Sequence, residues 1–212
     1  MTIAPPNLDI ANDAELSGVM ADVLASFLRG VDDMIPARVV SYSESTNRVT
    51  LKPLVMMGTT DGRKVSRAQV ANIPVFRFGA GGFFIRFPVK AGDFGWLKAS
   101  DRDISLVMQR GGQEDWPNTL RQHSFSDGLF FPDMLRGWTV AGANANAMVI
   151  QSLDGSVCLS LHSGKVQIDA PSVVINGNVQ ITGTMTNNGK NIGSTHVHSG
   201  VDSGPSNTGG PV

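Results

Sequence analysis

The sequence predicts a mainly β protein: an N-terminal helix, a small barrel, and a C-terminal β-stalk that one copy of the chain cannot complete alone. Three observations carry that reading. Apolar residues first follow a helical period and then alternate in short runs cut by turn residues. Every Phe, Trp and Tyr stands at or before Trp138, so the 74 residues from 139 to 212 hold no aromatic, and they hold no Arg either. Two imidazoles, His196 and His198, stand two residues apart near the end.

Composition excludes several function classes. The 212 residues are 41% hydrophobic and 17% charged, an ordinary soluble balance. Seventeen basic against 18 acidic residues give a net charge of −1, so no global field gathers nucleic acid or anionic lipid. Met1 to Asp9 shows no basic stretch leading into an apolar one, and nowhere do enough apolar residues run together to span a bilayer. The expectation is a protein made in the cytosol with neither a secretion signal nor a membrane span. Cys158 is the only cysteine, which rules out an intrachain disulfide and a thiol-rich metal site and suits a small semi-buried side chain.

Residues 1–34 read as an arm and one amphipathic helix. Asn12 and Glu15 form a capping pair, Gly30 is placed to stop the helix, and Leu16, Val19, Met20, Val23, Leu24, Phe27 and Leu28 keep helical spacing. Such a stripe ordinarily packs on its own domain; the alternative is docking on neighbouring chains or a larger assembly.

Residues 35–110 read as a barrel. Runs at 35–42, 48–56, 71–78, 83–87, 94–99 and 104–109 are separated by turn clusters such as Thr60-Asp61-Gly62, Gly79-Ala80-Gly81-Gly82 and Ala91-Gly92-Asp93. Five or six strands in so short a stretch suggest a small closed barrel of oligonucleotide/oligosaccharide-binding (OB) type. Phe76, Phe78, Phe83, Phe84, Phe87 and Trp96 are expected to fill its interior rather than to stack on bases beside Arg77 and Arg86. Residues 111–146 read as an irregular connector draped over the barrel, with His123 a hydrogen-bonded surface histidine.

Residues 147–192 read as the stalk. Met148 and Ile150, Val157 to Leu161, Val166 and Ile168, Val173 and Ile175, and Val179 and Ile181 alternate, each group ending in a turn six to nine residues after the last. Only Asp154, Lys165, Asp169, Lys190 and Asp202 carry charge after Trp138. So few large side chains do not close a core. A single-chain solenoid would reach only two or three coils in about 45 residues, at or below the minimum for stability. Three chains wound together bury the apolar faces and leave no strand edge free.

Residues 193–212 read as an apex. In an extended segment His196 and His198 point to one face and approach one ion together. Two ligands are too few for zinc or for an octahedral ion, and no third His, Cys or carboxylate lies in the preceding twenty-five residues. Three chains would supply six nitrogens, which suits iron, nickel or cobalt better than zinc and closes the coordination sphere. A closed site has a structural role and no catalytic one.

The Ile73-Pro74-Val75 to Trp96-Leu97 barrel half with Gly92-Asp93, the Arg121 to Asp127 connector, the Asp154-Gly155 stalk start and the His196-Val197-His198-Ser199-Gly200 apex together resemble the central spike, or membrane-piercing tip, of contractile bacteriophage tails, similar to the spikes of P2-like and Mu-like phages. The resemblance implies a virion protein, a homotrimer whose OB-like base sits on a tail hub and whose chains form an intertwined β-helix. It implies iron, one ion per trimer, with His196 and His198 of each chain as ligands. Some members hold calcium or chloride in the helix; no residue here is assigned to either. The implied function is mechanical piercing of the host outer membrane, with neither a small-molecule substrate nor nucleic acid as partner and no enzymatic activity. Alternatives are a receptor-binding fibre or adhesin, whose tip would carry aromatics this one lacks, the tip of a tailocin or secretion system, and a metalloenzyme, for which a Gly/Ser-rich tail is a poor pocket wall.

Overall fold

The computed structural model describes residues 16–59, 61–135, 137–193, 196 and 200. A helix, α1 (Leu16–Arg29), leads into β1 (Met34–Ser43) and β2 (Arg48–Pro53). A small hairpin of β3 (Met57–Gly58) and β4 (Lys64–Val65) precedes β5 (Val70–Pro74). A second hairpin, β6 (Phe78–Ala80) and β7 (Phe83–Ile85), is followed by β8 (Phe94–Ser100), the short helix α2 (Ser105–Gln109) and β9 (Ser124–Pro132).

Five strands form one antiparallel sheet in the order β5-β2-β1-β8-β9. A parallel bridge between Val75 and Phe130 joins its two edges, and the Phe76 N–H donates to the Phe130 carbonyl at 2.8 Å. The result is a nearly closed barrel. A register shift between Val39 and Ser41 adds the local bend that closure requires.

The interior is largely aliphatic: Ala37, Val39, Val49, Leu51, Ile73, Val75, Val89, Leu97 and Ala99, with Phe125 and Phe130 the two aromatics. This corrects the expected filling. Along β8 the inward positions are Gly95, Leu97 and Ala99, so Phe94 and Trp96 fall on the outer face. The Phe130 ring occupies the space a side chain at 95 would need: a Cβ there would lie 2.5 Å from Phe130 Cε2. Phe78, Phe83, Phe84 and Phe87 are all more than half exposed, because β6 and β7 pair only with each other, outside the barrel sheet.

Two further expectations change. The run 104–109 forms α2, not a strand: the Asp103 carboxylate accepts the Ser105 N–H at 2.9 Å, Ile104, Val107 and Met108 keep helical spacing, and Gly111 and Gly112, both at positive φ, end the turn. The stretch read as connector contains β9, which completes the barrel beside β8. Its Asp127-Gly128 pair resembles a turn but lies within the strand, since Gly128 is needed for close packing: a Cβ there would meet Leu97 Cδ1 at 2.8 Å and the Lys98 carbonyl at 2.9 Å.

The expected packing of α1 on its own domain is also corrected. Leu16, Val19, Met20, Val23, Leu24, Phe27 and Leu28 are each at least 48% exposed. The expected cap at Asn12 to Glu15 lies outside the described residues. No helix among the described residues is long and apolar enough to cross a membrane.

Candidate functional site

After the barrel, a 3-10 turn at Gly142–Asn144 leads into a meander of β10 (Met148–Gln151), β11 (Cys158–Leu161) and β12 (Val166–Asp169). Register fixes its two faces. Met148 pairs with Leu161 and Leu161 with Val166; Ile150 pairs with Leu159 and Leu159 with Ile168. Paired residues share a face, so these six apolar side chains form two rows on one side. The other side carries Val149, Gln151, Cys158, Ser160, Gln167 and Asp169.

Burial runs opposite to chemistry. On the mixed face Cys158 and Ser160 are buried, with the Asn144 amide donating to Cys158 Sγ at 3.5 Å and His162 Nε2 3.2 Å from Ser160 Oγ. On the apolar face Met148, Ile150, Leu161, Val166 and Ile168 are exposed and Leu159 is half-buried. The turn joining β10 to β11 is locked by Asp154, whose carboxylate accepts the Ser152 and Ser156 hydroxyls and the Ser156 N–H. These hydrogen bonds, the Ser152 hydroxyl first, lower its pKa to about 2.

Residues 170–185 form no ladder within the chain, yet Val173, Ile175, Val179, Ile181 and Met185 continue the alternation, all exposed. A further hairpin follows, β13 (Thr186–Asn187) and β14 (Lys190–Asn191), turning at Asn188-Gly189 with both residues at positive φ, as a two-residue hairpin turn requires. The Ile192 N–H donates to the Met185 carbonyl and the Asn191 side chain accepts the Gly193 N–H at 2.9 Å, which fixes where the chain leaves the hairpin.

His196 sits on that exit. Its backbone N–H donates to the Gly193 carbonyl at 3.1 Å, and its ring Nδ1 lies 2.7 Å from the same oxygen. A carbonyl can only accept, so Nδ1 donates, and in the neutral ring Nε2 keeps the lone pair. That is the tautomer a metal-binding imidazole adopts when its other nitrogen is held by a carbonyl. The donor therefore fits an Nε2-bound ion. His198, the other expected ligand, lies outside the described residues. Among the described residues no three His, Cys, Asp or Glu side chains gather into a metal-binding group.

Sequence reasoning missed a charged cluster on the barrel. Asp103 and Asp127 are buried, and Arg121 bonds both, Nε to Asp127 at 3.0 Å and Nη2 to Asp103 at 3.1 Å, with Thr119 also donating to Asp103 at 2.7 Å. Hydrogen bonds from Ser105 and Thr119, with the Arg121 charge behind them, hold the Asp103 carboxyl well below the usual carboxylate range. The cluster ties the loop after α2 to β9, which explains the Arg121 to Asp127 motif as structural. His123, at φ 48, places Nε2 3.2 Å from Asp101 and accepts the Asp32 N–H through its carbonyl, a surface role as expected.

Comparison with known proteins adds one finding. No curated protein matches the chain. Residues 35–133 match the family model described as the phage protein Gp138 N-terminal domain, a span running from β1 to the end of β9. The barrel is thus similar to a phage protein domain, which supports a phage structural, tail-related role in the virion.

Proposed function

We propose that the chain is the central spike of a contractile phage tail: a homotrimer seated by its OB-type barrel on the tail hub and driven point-first through the host outer membrane. One observation carries the proposal. From Met148 to Ile192 a single chain exposes apolar residues in strand alternation, and they need identical neighbours to be covered. The match of the barrel to a phage protein domain supports the setting.

The work of such a protein is mechanical and non-enzymatic. A narrow shaft with every strand edge paired unfolds slowly under load, and slow unfolding is the useful property. At the apex, His196 and His198 from each of three chains would hold one iron ion, with the Gly193 carbonyl orienting His196 through Nδ1. The bound ion supplies a closed cross-link between three chains at the point of greatest exposure.

Elemental analysis of the purified protein tests the apex. One iron per three chains in the wild type, lost in His196→Ala/His198→Ala, is expected; one zinc per chain would point to an open site and overturn the closed-apex reading.

A further inference from the structure

Helix α1 presents a second apolar surface, separate from the stalk. Leu16, Met20, Leu24 and Leu28 form one row at four-residue spacing, Val19, Val23 and Phe27 form the row beside it, and all seven are exposed. At 3.6 residues per turn the two rows take up about half of the helix circumference. Isolated helices shorter than about 12–15 residues are marginal in water. The 14 residues of α1 therefore call for cover from outside this chain.

The helix leaves the barrel from a clamped stem. The Asp32 N–H donates to the His123 carbonyl at 3.2 Å, and the Asp32 carboxylate accepts Arg67 Nη1 at 2.9 Å. The Asp33 carbonyl accepts the Ala99 N–H at 2.7 Å, and the Asp33 carboxylate pairs with Lys98. Two consecutive residues are thus tied to β8, to the turn before β9 and to the segment before β5. A push along α1 enters the barrel sheet through these bonds.

Width, charge and area decide what covers the helix. The best heptad frame for packing on identical helices, Leu16, Met20, Val23 and Phe27, omits Val19, Leu24 and Leu28, and α1 is shorter than the roughly three to four heptads that mark a coiled coil. A lipid surface asks for a basic polar face, whereas Asp22 and Arg29 are the only charged residues of the helix. A groove on another protein accepts both rows, since amphipathic helices dock through anchors at i, i+3, i+4 and i+7. Half the surface of a helix about 21 Å long and about 10–12 Å across is roughly 400 Å², against about 800 Å² a side for a stable interface. One helix therefore binds weakly, and three presented together by one trimer, at about 1,200 Å², bind firmly.

We infer that α1 of each copy docks in an apolar, uncharged groove of the protein on which the chain is seated, the tail hub of the reading above. The inference rests on that reading for the identity of the partner and adds to it the contact surface. Leu24 and Phe27, neighbours in adjacent rows near the stem, are central to the contact, and the barrel follows behind through Asp32 and Asp33. The groove carries no charge at the contact, because the two rows offer nothing to pair with one.

Titration calorimetry of the full chain against the separately produced hub protein of the same tail tests this, with each chain variant also sized alone by light scattering. Leu24→Ser/Phe27→Ser alters two exposed side chains of the apolar rows, and Asp22→Ser, on the opposite side of the helix, is the control. The expected result is a loss of at least about 30-fold in affinity for Leu24→Ser/Phe27→Ser, the size of one lost interface anchor, with Asp22→Ser binding as the wild type does. Equal affinity for all three would overturn α1 as the contact and leave the hub reading in place. If the wild type does not bind the hub, that reading fails and the inference with it. A change in the mass of Leu24→Ser/Phe27→Ser alone would show that copies of the chain cover the rows, and co-sedimentation of the wild type but not of this variant with phosphatidylglycerol vesicles would assign them to lipid; either would overturn the inference.

Discussion

The barrel and the stalk solve the same problem in opposite ways. In the barrel, alternation along β1, β2 and β8 sends Ala37, Val39, Val49, Leu51, Leu97 and Ala99 into a core that the same chain closes. In the stalk, equally regular alternation leaves Met148, Ile150, Val166, Ile168, Val173 and Ile175 in solvent. Local pattern is alike in both; what differs is whether the chain returns to cover it. The barrel can, because five strands curl until Val75 meets Phe130. The stalk has three short strands, a segment without a ladder and a two-residue hairpin. An apolar alternation thus specifies a buried face without specifying whose surface buries it.

Substitutions that separate the two regions sharpen the contrast. The largest effect is expected from Ile168→Asp, which puts a carboxylate on the exposed apolar face of β10–β12 that the proposed trimer would bury: light scattering should report a monomer while the barrel, followed by tryptophan fluorescence, unfolds as in the wild type. Phe130→Ala does the reverse. It removes the largest fully buried side chain of the core, and denaturant titration should show a loss of about 3–5 kcal/mol from the barrel with the oligomeric state kept. Gly128→Ala forces a Cβ against Leu97 and the Lys98 carbonyl and should cost the barrel about 1–3 kcal/mol in the same titration.

Acid gives the smallest and most graded comparison. Asp154 in the stalk turn titrates near 2 in the folded protein against an ordinary 3.8, so its contribution is complete above 3.8 and is lost as pH falls through about 2. Asp103 in the barrel is held lower still, by Ser105 and Thr119 first, so its contribution survives further into acid. Thermal melts followed by circular dichroism should show Asp154→Ala flattening the dependence of the stalk between those two values while leaving the barrel's acid response unchanged.

Much of the barrel was legible. Strands β1, β2 and β8 fall within a few residues of the expected runs, because turn clusters and alternation reinforce one another there. Where signals conflict, tertiary contacts decide. Asp127-Gly128 has turn chemistry, yet Arg121 neutralises the aspartate and Leu97 fills the space that a Cβ at 128 would take, so the pair stays in β9. Ile104 to Gln109 is apolar enough for a strand, but Asp103 and the two following glycines frame a helix. Aromatic content misled most: β6 and β7 carry Phe78, Phe83 and Phe84 on a hairpin outside the sheet, where Arg77 lies over the Phe84 ring at 5.4 Å and Phe76 meets the Phe78 ring edge-on at 5.0 Å. At the candidate site the spacing of His196 and His198 gave the expectation of a shared ion, and His198 lies outside the described residues. The Gly193 carbonyl that sets the His196 tautomer was not legible, since backbone acceptors leave no mark in a sequence.

The trimer is tested most directly by the mass of the intact, unmodified chain in solution, measured by light scattering across a dilution series. A value of about three times 22.5 kDa that persists on dilution is expected from faces covered by identical neighbours. A mass of 22.5 kDa at every concentration would contradict it, and would mean that the apolar rows of the stalk stand uncovered in water.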